Sequence, residues 1–239
     1  MSEDFINING VKIWTTVQGD GVPVLLCLGG PGCADYLEPV GGMIDDIARV
    51  IRYEQRGCGR SDRTPPYDLD TDLRDIEAVR EYYRVDRWIV GGHSWGANLA
   101  FAYALTHREK ALGLINISGS GFQRDMDWWI EKQKGKQERG EKWPEAALNM
   151  NEEVMEQIFE SWYDFIKTPD LLKNISQLDV PTLFVYGKQD IRPAWPVLQM
   201  ANLMPEARLK IIDGEHFMWL TQAEELRRLL REFIQSFHE

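Results

Sequence analysis

Trp88-Ile89-Val90-Gly91-Gly92-His93-Ser94-Trp95-Gly96-Ala97-Asn98-Leu99-Ala100-Phe101-Ala102 is the stretch whose reading decides the fold. Its first three residues are apolar and suit a buried strand, which is expected to stop at Gly91-Gly92. Trp95–Thr106 is rich in Ala and Leu and reads as a buried helix. Between them lies a G-x-S-x-G, Gly92 to Gly96. A strand that turns straight into a helix forces the serine at the corner into a strained backbone conformation, and flanking glycines relieve the crowding. The hydroxyl of Ser94 is then held clear of the sheet, with the first amides of the helix and the positive end of its dipole aimed at it. A glycine-rich turn without chemistry is the plainer alternative, and the strand before and helix after argue against it.

Outward from this corner, strand, loop and helix alternate, which predicts a mainly parallel twisted sheet with helices on both faces. Toward the N-terminus, Phe5–Gln18 reads as a hairpin around Asn9-Gly10, a type I′ turn pair. Val24–Leu28 is a continuous apolar run, as in a strand covered on both faces. Arg49–Tyr53 is a second strand, and Asp70–Tyr83 a helix with Leu73, Ile76, Val79 and Tyr83 on one stripe. Past the corner, Leu112–Ile117 is a strand. Residues 119–177 then change character, with Trp128, Trp129, Trp143 and Trp162 set among charges and with breaks at Gly135, Gly140, Pro144 and Pro169. This segment is expected to be an inserted helical cap, so that residues 1–118 and 178–239 form the core. Strands resume at Pro181–Tyr186 and Arg208–Ile212, with a short helix Trp195–Asn202 between them. A C-terminal helix Thr221–Phe237 is expected, with Thr221 as N-cap and Glu224 at the capping-box position.

A neutral serine is a weak nucleophile and needs an adjacent base. The chain has 4 histidines: His93, His107, His216 and His238. In the α/β-hydrolase arrangement the order along the chain is Ser, then Asp or Glu, then His. His93 precedes the serine and should point away from its hydroxyl. His107 ends the helix that Ser94 begins, about 20 Å away at 1.5 Å per residue, and His238 is penultimate. His216, in a loop directly after a strand, remains as the general base. The acid should follow a strand between these two. Asp190, in Gly187-Lys188-Gln189-Asp190, does so, with Asp213 and Asp125 as competitors. It would accept Nδ1–H of the histidine, fix its tautomer and stabilise the imidazolium. Acyl transfer also needs two amides for the oxyanion: Trp95, just after the nucleophile, and Gly30, in Leu28-Gly29-Gly30-Pro31-Gly32.

Composition bounds the partners. At 239 residues the chain is long enough to bury a core without staples. Its formal net charge of −11 disfavours nucleic acid and anionic membrane surfaces. No signal-peptide pattern or bilayer-length apolar run is visible, and the 3 cysteines, Cys27, Cys33 and Cys58, lack metal or disulfide spacing. A cytoplasmic monomer or homodimer with reduced thiols is the expectation, and the chemistry requires no metal or organic cofactor.

Gly29-Gly30-Pro31-Gly32, Glu54-Gln55-Arg56-Gly57-Cys58-Gly59-Arg60-Ser61 and Gly92-His93-Ser94-Trp95-Gly96 together resemble the proline iminopeptidase branch of the α/β hydrolases. That branch typically shows HGGPG, DQRGCGRS and GGSWG. The likeness covers residues 22–118 closely and 180–220 as a general α/β-hydrolase end. Here Leu28 stands in place of the family's histidine and Glu54 in place of its aspartate, and the cap is shorter. In the family, cap glutamates bind the substrate's free amino group. Glu145, Glu152, Glu153, Glu156 and Glu160 are available here, though a solvated acidic helix face is the commoner explanation for them. The resemblance implies a serine hydrolase acting on a small ester, lactone, amide or short peptide through an acyl-enzyme. A C–C hydrolase or cofactor-free lyase on the same triad, or a small-ligand receptor, uses the same residues. Phe122, Trp128, Trp129 and Trp162 are candidates to line the acyl pocket, or equally to form the cap's own core.

Overall fold

The computed structural model describes residues 2–123, 125–148 and 150–237. The chain opens with β1 (Ser2–Ile8) and β2 (Val11–Gln18), joined through Asn9 and Gly10 at φ 50° and 82°. Positive φ at both positions matches the right-handed twist of the strands, which is why Asn-Gly serves here. Then follow β3 (Val22–Cys27), α1 (Glu38–Gly41), β4 (Ala48–Tyr53), α2 (Leu69–Tyr82), β5 (Trp88–His93), α3 (Trp95–Thr106) and β6 (Ala111–Ile117). Residues beyond β6 form α4 (Met126–Arg139), α5 (Glu152–Phe165) and α6 (Leu171–Ser176), and the sheet resumes with β7 (Thr182–Gly187), α7 (Trp195–Leu203), β8 (Ala207–Ile212) and α8 (Ala223–Gln235).

The eight strands form one sheet in the order β1-β2-β4-β3-β5-β6-β7-β8. The hairpin joins β4 antiparallel, and every pairing from β4 to β8 is parallel. This is the α/β-hydrolase fold.

Alternation along the strands divides the core in two. In β3, Val24 and Leu26 face one layer while Leu25 and Cys27 face the other, and all four are fully buried. Leu25 and Cys27 pack with α2, α3 and α7; Val24 and Leu26 pack with α1 and α8. Two-sided burial explains the unbroken apolar run, since a strand facing water on one side would alternate with polar residues.

Most element boundaries move by one to three residues from the sequence reading, and two of these shifts have a plain cause. The central strand does not stop at Gly91-Gly92 but continues to His93, because pairing with β6 runs on to His93↔Ile117. The last helix begins at Ala223, not Thr221. Gln222 is its N-cap without a side-chain cap bond, since Met218–Leu220 forms a separate 3-10 turn ahead of it. His238 lies outside the described residues. The 3 cysteines are free, buried thiols, and no described helix is long and apolar enough to cross a membrane.

The Glu54–Ser61 segment is a structural knot. Buried Glu54 accepts from the Asp35 amide at 2.9 Å and from Arg60 Nη2 at 2.8 Å. Arg56 grips Asp75 of α2 with two bonds of 2.7 Å, a bidentate geometry that a guanidinium provides and an ammonium does not.

Candidate active site

Ser94 sits at the corner between β5 and α3 with φ 55° and ψ −115°. It is the N-cap of α3, yet its hydroxyl makes no capping bond, so the oxygen is not taken up by the helix end. The G-x-S-x-G spacing has a direct steric cause. A Cβ on Gly92 would run into the Gly96 carbonyl, and one on Gly96 into the carbonyl oxygen of Cys27. Strand and helix cross so closely that only hydrogen fits at both places. The Ser94 amide is tied to Ile117 O at 2.9 Å, which anchors the corner to β6.

The glycine loop after β3 passes directly beside this corner. A Cβ on Gly29 would lie 2.9 Å from Ser94 Cβ. Gly30, at φ 62°, starts a turn closed by Cys33 N donating to Gly30 O at 2.8 Å. Among the described residues neither the Gly30 nor the Trp95 amide donates to a backbone carbonyl. The Trp95 amide opens a helix, where the first N–H groups have no partner within the helix. The Asn151 amide, just before α5, donates to Gly32 O at 3.0 Å, so the segment beyond β6 rests on this loop.

His216 and Asp190 come together from the loops after β8 and β7. His216 Nδ1 is 2.6 Å from Asp190 Oδ2, and both residues are buried. Burial alone would raise the Asp190 carboxyl. The His216 N–H, the Arg192 guanidinium and the Arg192 amide outweigh it and hold the group at about 2. Burial, then the charge of Arg192, push His216 below its ordinary value, against the pull of Asp190. A carboxylate facing Nδ1 places the ring proton there and leaves a lone pair on Nε2. Among the described residues Nε2 has no hydrogen-bond partner, and no bond joins it to Ser94 Oγ. The remaining candidates are occupied elsewhere: Asp125 caps α4 at Trp128 N, Asp213 bonds Gln189, and His107 stacks on Tyr103 at the far end of α3.

His93 points away from the hydroxyl, as its place before Ser94 requires. Its Nδ1 is 2.8 Å from Tyr36 Oη, and its Nε2 is 3.0 Å from the carbonyl oxygen of His216. Only a donor satisfies a carbonyl, so Nε2 carries the proton and Nδ1 accepts from the tyrosine. Ser118 Oγ donates to the same carbonyl at 3.1 Å. The backbone of His216 is thus pinned from two sides, one of them the residue next to Ser94, and the two imidazole centroids are 4.5 Å apart.

Ser94 and Trp95 line a cavity of about 370 Å³, with Gly30 also in its wall. His216 lines a neighbouring cavity of about 290 Å³, and the two share Gly140, Glu141 and Ile191. Of the four aromatic residues expected here, only Trp128 lines the Ser94 cavity; Trp143 and Phe159 join it. Trp162 is instead fully buried, edge-on to Trp95 at 5.4 Å and stacked on Phe122 at 5.4 Å. Phe122 faces a separate cavity against α7, and Trp129 packs on the outer side of Trp128. Trp162 and Phe122 thus belong to the core beneath the site. None of Glu145, Glu152, Glu153, Glu156 and Glu160 lines the Ser94 cavity either; Glu141 does.

Arg192 and Glu141 are the pair that the sequence did not disclose. Arg192 Nη1 is 3.2 Å from Asp190 Oδ1 and also bonds Glu141 Oε1, and its amide donates to Asp190 Oδ1 at 2.9 Å. Glu141, Asp190 and His216 could together offer a metal three ligand atoms within 4.8 Å of one another. A guanidinium already lies between the two carboxylates, so their charge is met without an ion.

A serine at a strained strand-to-helix corner after β5, and a buried His–Asp pair on the loops after β7 and β8 of the same mainly parallel sheet, are features of a hydrolase of the α/β type. The chain belongs to the α/β hydrolase fold family, whose sequence model matches residues 22–154. It is 34% identical over 262 residues to the proline iminopeptidase of Neisseria meningitidis, covering 82% of this chain and 83% of that one. Among solved structures it is similar to an esterase from Exiguobacterium antarcticum, with a TM-score of 0.78, 22% identity and coverage of 97% and 98% of the two chains. The enol-lactonase from Burkholderia xenovorans aligns with a TM-score of 0.77 at 16% identity, over 97% of this chain and 100% of that one.

Proposed function

We propose that the chain hydrolyses a small ester, lactone or amide through an acyl-enzyme on Ser94, with His216 as base and Asp190 as its orienting acid. Ser94 Oγ bonds the substrate carbonyl carbon while its proton passes to His216 Nε2. The carbonyl π electrons move to oxygen, and the Trp95 and Gly30 amides receive that oxyanion. As the tetrahedral centre collapses, the leaving oxygen or nitrogen departs and takes the proton from His216. Water then attacks the acyl carbon, giving its proton to the same nitrogen, and the acid leaves as Ser94 recovers its hydrogen. One oxyanion donor is typically worth about 3 kcal/mol of transition-state stabilisation.

The observation that carries this reading is the open Nε2 of a histidine whose Nδ1 is bonded to a buried carboxylate at 2.6 Å. The missing Ser94 bond agrees with catalytic contacts that tighten only when substrate fills the site. In the same proposal, residues 119–177 act as the cap over the site, and the substrate is a small molecule.

The likeness to a proline iminopeptidase favours a second reading, removal of an N-terminal proline. Against it, Glu141, the carboxylate in the cavity wall, is already paired with Arg192. A fluorophosphonate should label Ser94, and a short p-nitrophenyl ester should give a p-nitrophenol burst that Ser94→Ala abolishes. Turnover of a prolyl amide with none of the ester would establish the second reading instead. An ester activity that survives in Ser94→Ala would remove the first.

A further inference from the structure

His93 is fully buried on the side of the sheet that also holds Leu26, Ile115 and Ile117. An aliphatic side chain would fill such a layer without the cost of taking two ring nitrogens out of water. Both nitrogens are bonded, and each bond leads to a different part of the site. Nε2 donates to the carbonyl oxygen of His216 at 3.0 Å, and Nδ1 accepts from Tyr36 Oη at 2.8 Å. The phenol oxygen in turn lies against the glycine loop. A Cβ on Gly29 would come within 2.4 Å of it, and within 2.4 Å of the His93 carbonyl oxygen. Gly30, with its amide toward the oxyanion, is the next residue, and Ser94 is the next residue after His93. One imidazole is therefore in reach of the nucleophile's corner, the loop of the base and the oxyanion loop.

The ring is held firmly enough to serve as a reference point. The centroids of Tyr36, Phe217 and Trp219 lie 5.7, 5.0 and 4.8 Å from its own. Its backbone is fixed by the pairing with Ile117 at the end of β5. Ser118 Oγ, the second donor to the His216 carbonyl, is also buried, and its amide donates to Val185 O at 2.9 Å. With the His216 carbonyl fixed from two sides and its Nδ1 bonded to Asp190 at 2.6 Å, the direction of Nε2 is set before a substrate arrives. A catalytic group displaced by about 1 Å loses about 10²-fold in rate.

We infer that His93 and Tyr36 are positioning residues: the imidazole and the phenol hold the His216 loop and the Gly29-Gly30 loop in register with Ser94. Neither lines the Ser94 cavity, so both act through the groups they hold. Both roles rest on Ser94, His216 and the Gly30 amide acting as proposed above, and add what keeps the three in place.

Glutamine and asparagine separate the two bonds of the imidazole. The glutamine amide nitrogen reaches as far along the side chain as Nε2 and can still donate to the His216 carbonyl, whereas the asparagine amide reaches only as far as Nδ1. On a short p-nitrophenyl ester, with kcat taken per fluorophosphonate-labelled site, His93→Asn should lower kcat by about 10²-fold with KM little changed. His93→Gln should recover most of that loss. The His216 Nδ1–H proton resonance, at low field in the wild type because of the short bond to Asp190, should broaden or move upfield in His93→Asn and persist in His93→Gln. Tyr36→Phe removes one hydroxyl and leaves the ring packing, so it keeps the test open where a histidine variant fails to fold. It should lower kcat by about tenfold, part of the loss for a whole oxyanion donor. Equal kcat in His93→Gln and His93→Asn would mark a packing role and overturn the inference, as would wild-type kcat in Tyr36→Phe. Either result leaves the hydrolase intact. Absence of labelling and turnover in the wild-type protein would overturn the hydrolase reading and this inference together.

Discussion

Asp190→Asn should stall the reaction by moving a single proton. Asp190 Oδ1 accepts from the Arg192 amide at 2.9 Å and from Arg192 Nη1 at 3.2 Å, while Oδ2 accepts from His216 Nδ1 at 2.6 Å. An asparagine has one acceptor oxygen and one NH2 in the same space. Two fixed donors hold the oxygen on the Arg192 side, so the NH2 must face Nδ1 of His216. That nitrogen then accepts, the ring proton moves to Nε2, and no lone pair remains for the Ser94 proton. The imidazolium of the transition state also loses its counter-charge while the Arg192 guanidinium stays close. Replacing the acid of such a triad by its amide typically costs about 10⁴ in kcat, or about 5 kcal/mol at 1.36 kcal/mol per decade. Steady-state kinetics on a p-nitrophenyl ester should show that fall with KM little changed, since the residue does not line the Ser94 cavity. Imidazole ¹⁵N spectra should show the His216 proton on Nε2. A folded Asp190→Asn protein within tenfold of wild-type kcat would refute the assignment. A large loss in Asp125→Asn or Asp213→Asn instead would move the acid there.

Two further predictions concern the fold around the site. Burial first, and the neighbouring His216 second, keep His93 neutral well below the ordinary histidine range. The unfolded chain takes up that proton below about pH 6.5, so stability should fall as pH drops, by about 1.4 kcal/mol per unit until the folded group titrates. Urea midpoints at pH 7 and 5.5 should show the loss, and His93→Gln should flatten it; a variant slope equal to wild type would contradict the argument. Gly96→Ala drives a methyl group into the Cys27 carbonyl, where both partners are backbone and neither can rotate away. It should cost at least about 3 kcal/mol, visible as a collapsed melting temperature or insoluble protein, and a melting temperature near wild type would refute the close crossing.

The sheet was legible because its strands obey simple rules. Val24–Leu28 is apolar throughout since both faces are covered, and Asn9-Gly10 names its own turn. Loop order and elimination singled out Asp190 and His216 as partners, and the two are bonded at 2.6 Å; their catalytic roles with Ser94 are part of the proposal. What the sequence could not reveal depends on the third dimension. Glu141 and Arg192 are 51 residues apart, and a buried ion pair has no local pattern. The aromatic residues beyond β6 carry the same composition whether they line a cavity or fill a core. Only packing sends Trp128 to the first and Trp162 to the second. For His93 the chain order indicates only that it points away from the Ser94 hydroxyl, because its partners Tyr36 and the His216 carbonyl are remote in the chain.

The close approach of α3 to β5 and β3 at this corner has a consequence for how chemistry can change on this scaffold. The contacts that force it are main chain on main chain: Gly92 against Gly96, Gly96 against Cys27, and the Ser94 amide on Ile117. The side chain at position 94 takes no part in them, so the corner is a socket that accepts different reactive groups without being rebuilt. A carboxylate or thiol seated there would inherit the same vantage over the cavity. Reactivity could then diverge by one codon while the architecture stands still.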